Sequence, residues 1–412
     1  MPVYGLLGRK LGHSWSSVIH GELGLRDYRH IELEPEELRT FFATEDIGAV
    51  NVTIPYKKDV MAFCDVIDPG AAAIGSVNTI VKKADGRLYG YNTDITGFCY
   101  MADRAGISME GKKVLVLGSG GSSLTACHAA ALCNAKSVTV ISRTGENNYS
   151  NLHLHADADI IVNTTPVGMY PKTGEAPLEL GLFPKLSGVI DIVYNPRRTA
   201  LLLRAEELGI PCTDGLPMLV SQAVKAEEHF FGRDMDPGET ERIIAALRAA
   251  MTNVVLIGMP GCGKTTVGAE LAALSGREAI DIDACITERI GCSIPEFFAR
   301  EGEAAFRKIE HEEIEKAGKL SGKIIVTGGG AVTVKENYAL LHQNGRIYQL
   351  FRPLELLPTA GRPISQGNPI EELYARRAPL YKAFADKTVN NTAAPAETAE
   401  EIWRDFCEHS GD

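Results

Sequence analysis

The sequence lacks a hydrophobic run that approaches a membrane span, and none of its cysteines form a C-x-x-C pair. Because a spanning helix needs about 20 apolar residues, we expect the chain to stay out of the membrane. The start, Met1-Pro2-Val3-Tyr4, enters a strand-like segment without a signal or transit peptide. Nine scattered cysteines among 412 residues favour reduced thiols and predict a cytoplasmic protein.

Positive charge is also scarce, since 42 Lys and Arg face 53 Asp and Glu for a net charge of −11. This balance argues against a general nucleic-acid surface, which needs clustered cations. Local cationic pockets for anionic small molecules stay compatible with it. Internal repeats, low-complexity segments and a Gly/Ser linker are absent as well, and the length predicts two to three domains. The expected partners are therefore small-molecule substrates, with a homo-oligomer left open.

A phosphate-binding loop is the most specific motif present. Gly258-Met259-Pro260-Gly261-Cys262-Gly263-Lys264-Thr265 fits G-x-x-x-x-G-K-[ST], between a strand-like run at 253–257 and a helix pattern at 266–274. Glycines let backbone N–H groups approach phosphates, Lys264 adds a point charge, and the Thr265 hydroxyl can ligate magnesium. The loop normally follows the first strand of its domain, so a nucleotide-binding domain is predicted to start near residue 252.

Strand-like runs alternate with helix patterns along the chain, at 114–117, 137–141, 160–163, 188–193, 254–257 and 324–327. This alternation predicts an α/β fold with parallel sheets flanked by helices. A helix predicted over 239–250 runs almost directly into the strand at Val254, so the joint there is expected to be short.

A second glycine loop lies upstream. The run 113–117 leads into Gly118-Ser119-Gly120-Gly121, which opens a helix pattern and is typical of a dinucleotide site. The next strand ends at Ile141-Ser142-Arg143-Thr144, where an acidic residue would bond a ribose hydroxyl and an Arg suits a 2′-phosphate. Arg143 therefore favours NADP; a plain turn with an exposed Arg is the alternative from these residues alone.

Seven further motifs occur in order around that loop: 11–16 (LGHSWS), 51–57 (NVTIPYK), 75–79 (GSVNT), 92–97 (NTDITG), 163–169 (NTTPVGM), 191–196 (DIVYNP) and 215–219 (GLPML) with Gln222 and Ala223. This set closely resembles shikimate dehydrogenase across residues 1 to about 250. The resemblance implies an N-terminal α/β substrate domain at 1–100, completed by about 215–250, and a Rossmann-type NADP domain at 101–214.

The same resemblance assigns roles to individual residues. It implies that Lys57 and Asp94 form the hydride-transfer pair, a cation able to protonate a ketone oxygen beside a carboxylate that orients it. It implies further contacts to the substrate by Ser14, Ser16, Thr53, Asn78, Asp94, Gln222 and Tyr194. Cofactor contacts are implied for Gly118, Gly120, Gly121, Ser142, Arg143, Thr144, Asn163, Thr164, Thr165, Gly215 and Met218.

One segment departs from that family's pattern. Only residues 145–158 separate the strand ending near Arg143 from the next strand, so part of one βα unit is expected to be abbreviated. Ser142 also replaces the usual Asn. His153 and His155 in this segment are expected to be incidental rather than metal ligands. Two alternatives stay open for this half: a quinate/shikimate dehydrogenase with NAD preference, and a non-catalytic shikimate-binding module.

Motifs downstream of the phosphate loop resemble shikimate kinase over residues 252–412, a P-loop domain with a lid. They comprise Asp281-Ile282-Asp283 at the end of a strand-like stretch, 301–310 (EGEAAFRKIE), 326–332 (VTGGGAV), 361–363 (GRP) and 377–381 (RAPLY). The resemblance implies catalysis by Asp283, Lys264 and Arg362, and metal binding by Thr265 and Asp281. Shikimate would be held by Asp283, Arg307, Gly328, Gly329, Gly330 and Arg377. The nucleotide would lie on Gly258, Gly261, Cys262, Gly263, Lys264, Thr265 and Thr266.

Together these resemblances predict a bifunctional enzyme. The first half would reduce 3-dehydroshikimate to shikimate with NADPH, and the second would phosphorylate shikimate to shikimate 3-phosphate with ATP and Mg²⁺. An ordinary alternative for single residues is that Arg307 simply pairs with Glu303 or Glu310 on its own helix.

Overall fold

A computed structural model describes residues 2–12, 15–357 and 370–409. The chain divides into two compact units. Unit 1 comprises Met1–Gly168, Glu175–Tyr194 and Arg204–Ile244, and unit 2 comprises Met169–Gly174, Asn195–Leu203 and Ala245–Asp412. No helix within the described ranges is long and apolar enough to cross a membrane.

The first sheet of unit 1 is mixed, with the strand order β2-β1-β3-β5-β6-β4. Its strands and helices are β1 (Val3–Gly8), α1 (Ser16–Glu22), β2 (Arg29–Glu32), α2 (Leu38–Thr44), β3 (Ile47–Val52), β4 (Val66–Ile67), α3 (Pro69–Ile74), β5 (Thr79–Lys82) and β6 (Leu88–Tyr91). Strand β3 runs parallel to β1, whereas β5 is antiparallel to both β3 and β6. The end of β3, the start of β5 and the end of β6 therefore meet at one edge of the sheet.

The second sheet of unit 1 is entirely parallel, with the order β11-β10-β9-β7-β8. Its elements are α4 (Asp94–Arg104), β7 (Lys113–Leu117), α5 (Gly121–Leu132), β8 (Ser137–Ile141), β9 (Ile160–Asn163), β10 (Gly188–Asp191), α6 (Ala200–Glu207), β11 (Cys212–Thr213) and α7 (Leu216–Phe231). Strands β9 and β10 are buried throughout, as expected for parallel strands covered by helices. Between β8 and β9 the chain forms only a loop and a 3₁₀ helix at Leu152–His155, so this crossover is abbreviated as expected.

Helices α4 and α7 pack against each other in unit 1. Gly97 of α4 permits this packing, because a Cβ placed there would lie 2.5 Å from the Met218 carbonyl oxygen and 3.0 Å from the Gln222 Cβ. The contact brings α7 against the helix that begins at Asp94.

Unit 2 is built on a third, fully parallel sheet with the order β13-β14-β12-β15-β16. Helix α8 (Glu239–Met251) begins in unit 1 and ends in unit 2. The elements of unit 2 after it are β12 (Asn253–Gly258), α9 (Lys264–Ser275), β13 (Ala279–Asp281), α10 (Ile282–Ile290), α11 (Ile294–Gly318), β14 (Ile324–Val326), α12 (Asn337–His342), β15 (Gly345–Phe351), α13 (Ile370–Phe384), β16 (Lys387–Asn390) and α14 (Pro395–His409). Every residue of the central strand β12 is buried. Within α11, Gly302 adopts φ 82° and ψ 174°, which kinks the helix.

The α/β fold class with parallel sheets is confirmed, and three local predictions need correction. Strand β10 ends at Asp191 and not at Val193, and β14 ends at Val326 and not at Thr327. Asp283 does not end a strand, because the Asp281 side chain caps α10 and places Asp283 in its first turn. The predicted lid around Arg362 lies outside the described residues.

Candidate active sites

The edge where β3, β5 and β6 meet carries the first polar site. Lys57 follows β3, and its Nζ donates a hydrogen bond of 2.6 Å to Oδ2 of Asp94, the first residue of α4. Asn78, just before β5, donates 2.9 Å to the other oxygen, Oδ1. The Lys57 and Asp94 side chains are 24% and 13% exposed, so the pair is half-shielded from water yet open to a ligand. The Asp94 carboxylate thus fixes the Lys57 ammonium group, and the Asn78 amide in turn fixes the carboxylate.

A buried network surrounds this pair. Asn78 Oδ1 accepts hydrogen bonds from the Thr93 backbone N–H at 2.8 Å and the Thr79 hydroxyl at 3.0 Å. The Thr93 hydroxyl donates to Gln222 Oε1 of α7 at 3.4 Å. Sequence reasoning gave Thr93 no role although it lies in the Asn92-Thr93-Asp94 motif. The structure shows that it joins the amide of Asn78 to that of Gln222.

The other residues assigned to this site are only partly placed here. Ser16 is the buried first residue of α1. Thr53 directly follows β3, and its backbone N–H donates to Leu7 of β1 at 2.9 Å. Ser14 lies outside the described residues.

The glycine loop after β7 forms a cradle at the start of α5. A Cβ at Gly120 or Gly121 would find no heavy atom within 4 Å, so open space lies before the helix N-terminus, whose free N–H groups suit a pyrophosphate. Gly118 has φ +105°, and a Cβ there would lie 2.9 Å from the Thr164 hydroxyl. That hydroxyl donates to the Leu117 carbonyl, which packs the loop after β9 against this glycine turn.

A buried amide–carboxylate pair supports the floor of the cradle. Asn163 Nδ2 donates 3.0 Å to Asp191 Oδ1, and both residues are 0% exposed. Asn163 Oδ1 in turn accepts from the Thr165 backbone and hydroxyl. Asp191 lies within a sequence motif that gave it no role, because its partner is 28 residues away. It orders the strand end that leads to Tyr194, whose phenol pKa is raised by burial.

Gly215 and Met218, which follow β11, close the same region as Asp191. A Cβ at Gly215 would lie 2.0 Å from the Ile192 carbonyl oxygen, so only glycine fits. Met218 follows on the first turn of α7 and is half-buried.

The segment after β8 is a compact, self-bonded loop. The Ser142 hydroxyl accepts from the Gly145 N–H at 2.9 Å, and Asn148 Nδ2 donates to the Gly145 carbonyl at 3.0 Å. Arg143 and Thr144 are exposed at its tip. His155 Nε2 lies 3.1 Å from Asn147 Oδ1, and no cluster of three or more metal-binding side chains occurs in the part of the chain that the structure describes.

The second site is a cavity of about 520 Å³ at the carboxyl edge of the third sheet. The phosphate loop between β12 and α9 forms one wall, with φ +84° at Gly261 and +98° at Gly263. Lys264 is 8% exposed, and its Nζ donates to the Gly258 carbonyl at 2.9 Å and the Met259 carbonyl at 3.1 Å. The lysine is thus held inside the loop, where its charge lies near any bound phosphate.

A hydroxyl group and a carboxylate lie beside that loop. The Thr265 hydroxyl donates 2.9 Å to Asp281 Oδ2, while Asp281 Oδ1 accepts from the Asp283 N–H at 3.0 Å. A hydroxyl and a carboxylate are the hard oxygen donors that Mg²⁺ takes. Asn391 directly follows β16, and sequence reasoning did not find it. Its Nδ2 donates a hydrogen bond of 2.6 Å to the Cys262 carbonyl of the phosphate loop and so holds the loop in place. Its only sequence signal was its place directly after a strand.

A charged cluster forms the opposite wall. Arg307 Nη1 donates 2.6 Å to Glu310 Oε2, and Nη2 donates 3.1 Å to Glu303 Oε1. Glu310 is 0% exposed, and its burial raises its pKa although Arg307 acts in the opposite direction. Burial likewise lowers the pKa of Arg377, which is 5% exposed and donates 3.0 Å to the Gly329 carbonyl. The helix-internal pairing considered for Arg307 is therefore present, yet its guanidinium still lines the cavity.

The glycine triplet 328–330 makes room for these charges. A Cβ at Gly328 would lie 2.6 Å from Glu310 Oε1 and 2.7 Å from Asp283 Oδ1. A Cβ at Gly330 would lie 2.1 Å from Arg307 Nη2. Side chains here would fill the space in which Asp283 and Arg307 face the cavity. Arg362 lies outside the described residues.

These two sites define a protein with an NAD(P)-type oxidoreductase centre and a P-loop small-molecule kinase in one chain. Family models agree with both halves: a shikimate dehydrogenase substrate-binding domain matches residues 6–80, and a shikimate kinase matches residues 260–407. A shikimate dehydrogenase (NADP(+)) of Clostridium perfringens (strain SM101 / Type A) is 37% identical over 269 residues, covering 60% of this chain and 99% of that protein. The chain belongs to the shikimate dehydrogenase family and carries a shikimate kinase domain after it.

Solved structures match the dehydrogenase part of the chain. The chorismate mutase/shikimate 5-dehydrogenase fusion protein of Clostridium acetobutylicum is similar at 35% identity and a TM-score of 0.56, over 60% of this chain and 97% of that one. The shikimate 5-dehydrogenase of Thermus thermophilus, in complex with NADP(H) and shikimate, matches at 31% identity and a TM-score of 0.52, over 59% and 98%. The protein is a bifunctional shikimate-pathway enzyme with NADP-linked dehydrogenase and ATP-using kinase activities.

Proposed function

We propose that the Lys57–Asp94 pair is the proton-transfer centre for reduction of 3-dehydroshikimate. The observation that carries this is the 2.6 Å contact between Lys57 Nζ and Asp94 Oδ2, with Asn78 fixing the second oxygen. Bound NADPH supplies the hydride. As the ketone carbon accepts it, the Lys57 ammonium gives its proton to the carbonyl oxygen and so neutralises the developing alkoxide. Asp94 holds the ammonium in place.

The remaining polar residues are proposed to position the ring. Asn78, Gln222 and Thr53 surround the hydroxyl groups, and Ser16, with Ser14, takes the carboxylate. Tyr194, Gly215 and Met218 line the nicotinamide side. The open space before Gly120 and Gly121 supports a pyrophosphate at the N-terminus of α5. We propose domain boundaries at 1–100 with 215–250, at 101–214 and at 252–412.

NADP preference is a further proposal, and it depends on Arg143. Its exposed guanidinium at the end of β8 is suited to a 2′-phosphate, for which a fork of charged donors is available. Arg143→Ala should raise the KM for NADPH by about 10- to 100-fold, the loss of one charge-assisted hydrogen bond, and leave the KM for NADH unchanged. Arg39→Ala, at an exposed arginine of α2, is the matched control. Equal effects on both cofactors would refute the assignment.

In the kinase we propose that Asp283 orients the shikimate 3-hydroxyl and accepts its proton during in-line phosphoryl transfer. Arg307 and Arg377 grip the carboxylate, and the 328–330 backbone lies against the ring. Lys264 contacts the transferring phosphates, and Thr265 with Asp281 holds Mg²⁺, which neutralises phosphate charge when bound. The 2.9 Å contact between the Thr265 hydroxyl and Asp281 Oδ2 supports that metal site. The nine free thiols support a cytoplasmic setting.

One preparation tests both halves through shikimate-dependent NADPH formation and shikimate-dependent ADP release. Lys57→Ala should lower dehydrogenase turnover by about 10²- to 10⁴-fold, the usual share of general acid–base catalysis, and leave ADP release unchanged. Lys58→Ala removes the neighbouring exposed lysine and should change neither rate. Full dehydrogenase activity in folded Lys57→Ala would refute the assignment. A wild-type protein without NADP reduction would instead favour a shikimate-binding module.

A further inference from the structure

Arg352 is a third arginine of the kinase cavity, and neither the motifs nor the proposed mechanism gives it a role. It follows β15, the strand that pairs with β12 in parallel. In that register Leu350 is opposite Gly258, the first glycine of the phosphate loop, so Arg352 comes just after the point where the neighbouring strand enters the loop. Arg352 also lines the cavity together with Lys264 and Thr265.

The hydrogen bonds of Arg352 set it apart from the other two arginines. Arg307 is paired with Glu303 and Glu310, and Arg377 donates to the Gly329 carbonyl. The Arg352 Nε, by contrast, is buried and has no hydrogen-bond partner among the described residues. A guanidinium is charged at every physiological pH and carries only donors. A buried donor without an acceptor is costly, so this group is suited to an anionic ligand in the cavity.

The position of Arg352 decides between the two anions that enter this cavity. Asp281 ends β13, which the sheet order places two strands away from β12 on one side, while β15 adjoins β12 on the other. Arg307 and Arg377 contact the glycine triplet that follows β14, because a Cβ at Gly330 would meet the Arg307 guanidinium and Arg377 donates to the Gly329 carbonyl. We propose that Arg352 binds the phosphate chain of the nucleotide from the β15 side of the phosphate loop and does not contact the shikimate carboxylate.

The proposal adds a residue to the nucleotide-binding part of the kinase and rests on the proposed role of the phosphate loop in binding ATP. Lys264 is a point charge held by loop carbonyls, whereas Arg352 offers a planar fork that can bond two phosphate oxygens. Removing the Arg352 side chain should therefore weaken the binding of every ligand that carries the phosphate chain and leave the binding of ligands without phosphates unchanged.

The test measures steady-state kinase kinetics and equilibrium binding for Arg352→Ala and Arg352→Lys on the full chain. We expect Arg352→Ala to raise the KM for ATP by about 10- to 100-fold and leave the KM for shikimate unchanged. Binding of inorganic tripolyphosphate should weaken in parallel with ATP, and adenosine binding should not change. Arg352→Lys should recover part of the loss, because it restores the charge without the fork.

Arg376→Ala is the matched control, since Arg376 is an exposed arginine on α13. The fluorescence of Trp403 in α14, measured in a Trp15→Phe background, shows whether unit 2 of each variant is folded. A rise in the KM for shikimate alone would overturn the proposal and place Arg352 on the carboxylate. Weakened adenosine binding with normal tripolyphosphate binding would overturn it in favour of a contact to the base. Unchanged ATP kinetics in Arg352→Ala would also overturn it.

Discussion

A buried His–Glu pair between α1 and α7 offers the sharpest test of the fold of unit 1. His20 Nδ1 lies 2.8 Å from Glu227 Oε1, and each side chain is 1% exposed. The His20 ring stacks on Tyr28 at 4.1 Å between centroids and faces Phe230 at 5.7 Å. Burial, and then the nearby Glu227 carboxylate, raises the pKa of the Tyr28 phenol. Breaking this pair should leave one polar group without its partner in an apolar setting.

The magnitude follows from that burial. Glu227→Leu should lower the free energy of unfolding of unit 1 by about 3–5 kcal/mol, because removing one partner of a buried pair leaves the other uncompensated. His20→Leu should cost a similar amount. The double variant His20→Leu/Glu227→Leu should cost clearly less than the sum, since two apolar groups replace both partners. At a slope of about 3 kcal/mol per molar urea, each single variant shifts the midpoint by roughly 1–2 M.

The assay needs a probe of unit 1 alone, because a chain with two units need not unfold in one step. The two tryptophans provide this probe: Trp15 adjoins α1 and Trp403 lies in α14. Urea titrations in a Trp403→Phe background therefore report on unit 1 through Trp15. A wild-type midpoint for Glu227→Leu, or strictly additive losses in the double variant, would refute the reasoning.

Three further predictions concern unit 2. Lys264→Ala should abolish ADP release and leave NADPH formation intact in the paired assay; loss of both rates in a folded protein would contradict two separate sites. Burial raises the pKa of Glu310, so on acidification kcat/KM for shikimate should begin to fall at a pH above the usual glutamate pKa of about 4.3. Glu310→Gln should not show this acidic decrease, and identical pH profiles of the wild type and the variant would contradict the prediction. Burial would raise the pKa of Asp405, but Lys387, Tyr348 and Arg346 hold it below its usual value. The stability that this adds is present above about pH 3.9 and is lost as the pH falls through the lower folded pKa. The free energy of unfolding, followed by Trp403 fluorescence in a Trp15→Phe background, should therefore decrease less steeply with falling pH in Asp405→Asn than in the wild type. Equal slopes would contradict this prediction.

Short sequence patterns predicted the structural features that depend on neighbouring residues in the chain. The apolar runs and the glycine loops are each contained in a short stretch, and the strands and helices around them form within a residue or two of the expected bounds. Asp283 was misplaced because the capping of α10 by Asp281 depends on side-chain geometry that an apolar-run pattern does not contain. The resemblance to known families paired Lys57 with Asp94; spacing alone could not pair residues 37 positions apart.

The residues that sequence reasoning missed share a physical cause. Thr93, Asp191, Asn391 and the free donor of Arg352 matter through partners that topology brings together, across 129 residues for the Asn391–Cys262 contact. An Asn after a strand is a common turn residue, so its type carries little information about such a contact. The contact between Asn391 and the phosphate loop arises because the parallel sheet brings the carboxyl ends of β12 and β16 to the same edge.

The carboxylate of Asp281 uses its two oxygens for different contacts. Oδ1 accepts the N–H groups that start α10, and Oδ2 faces the hydroxyl of Thr265. The helix that carries Asp283 is therefore anchored by an atom that magnesium need not touch. An ion held by Thr265 and Asp281 as proposed would meet Oδ2 and leave the Oδ1 hydrogen bonds to α10 in place. The first turn of α10, which carries Asp283, is therefore capped by the protein itself, independently of the proposed Mg²⁺.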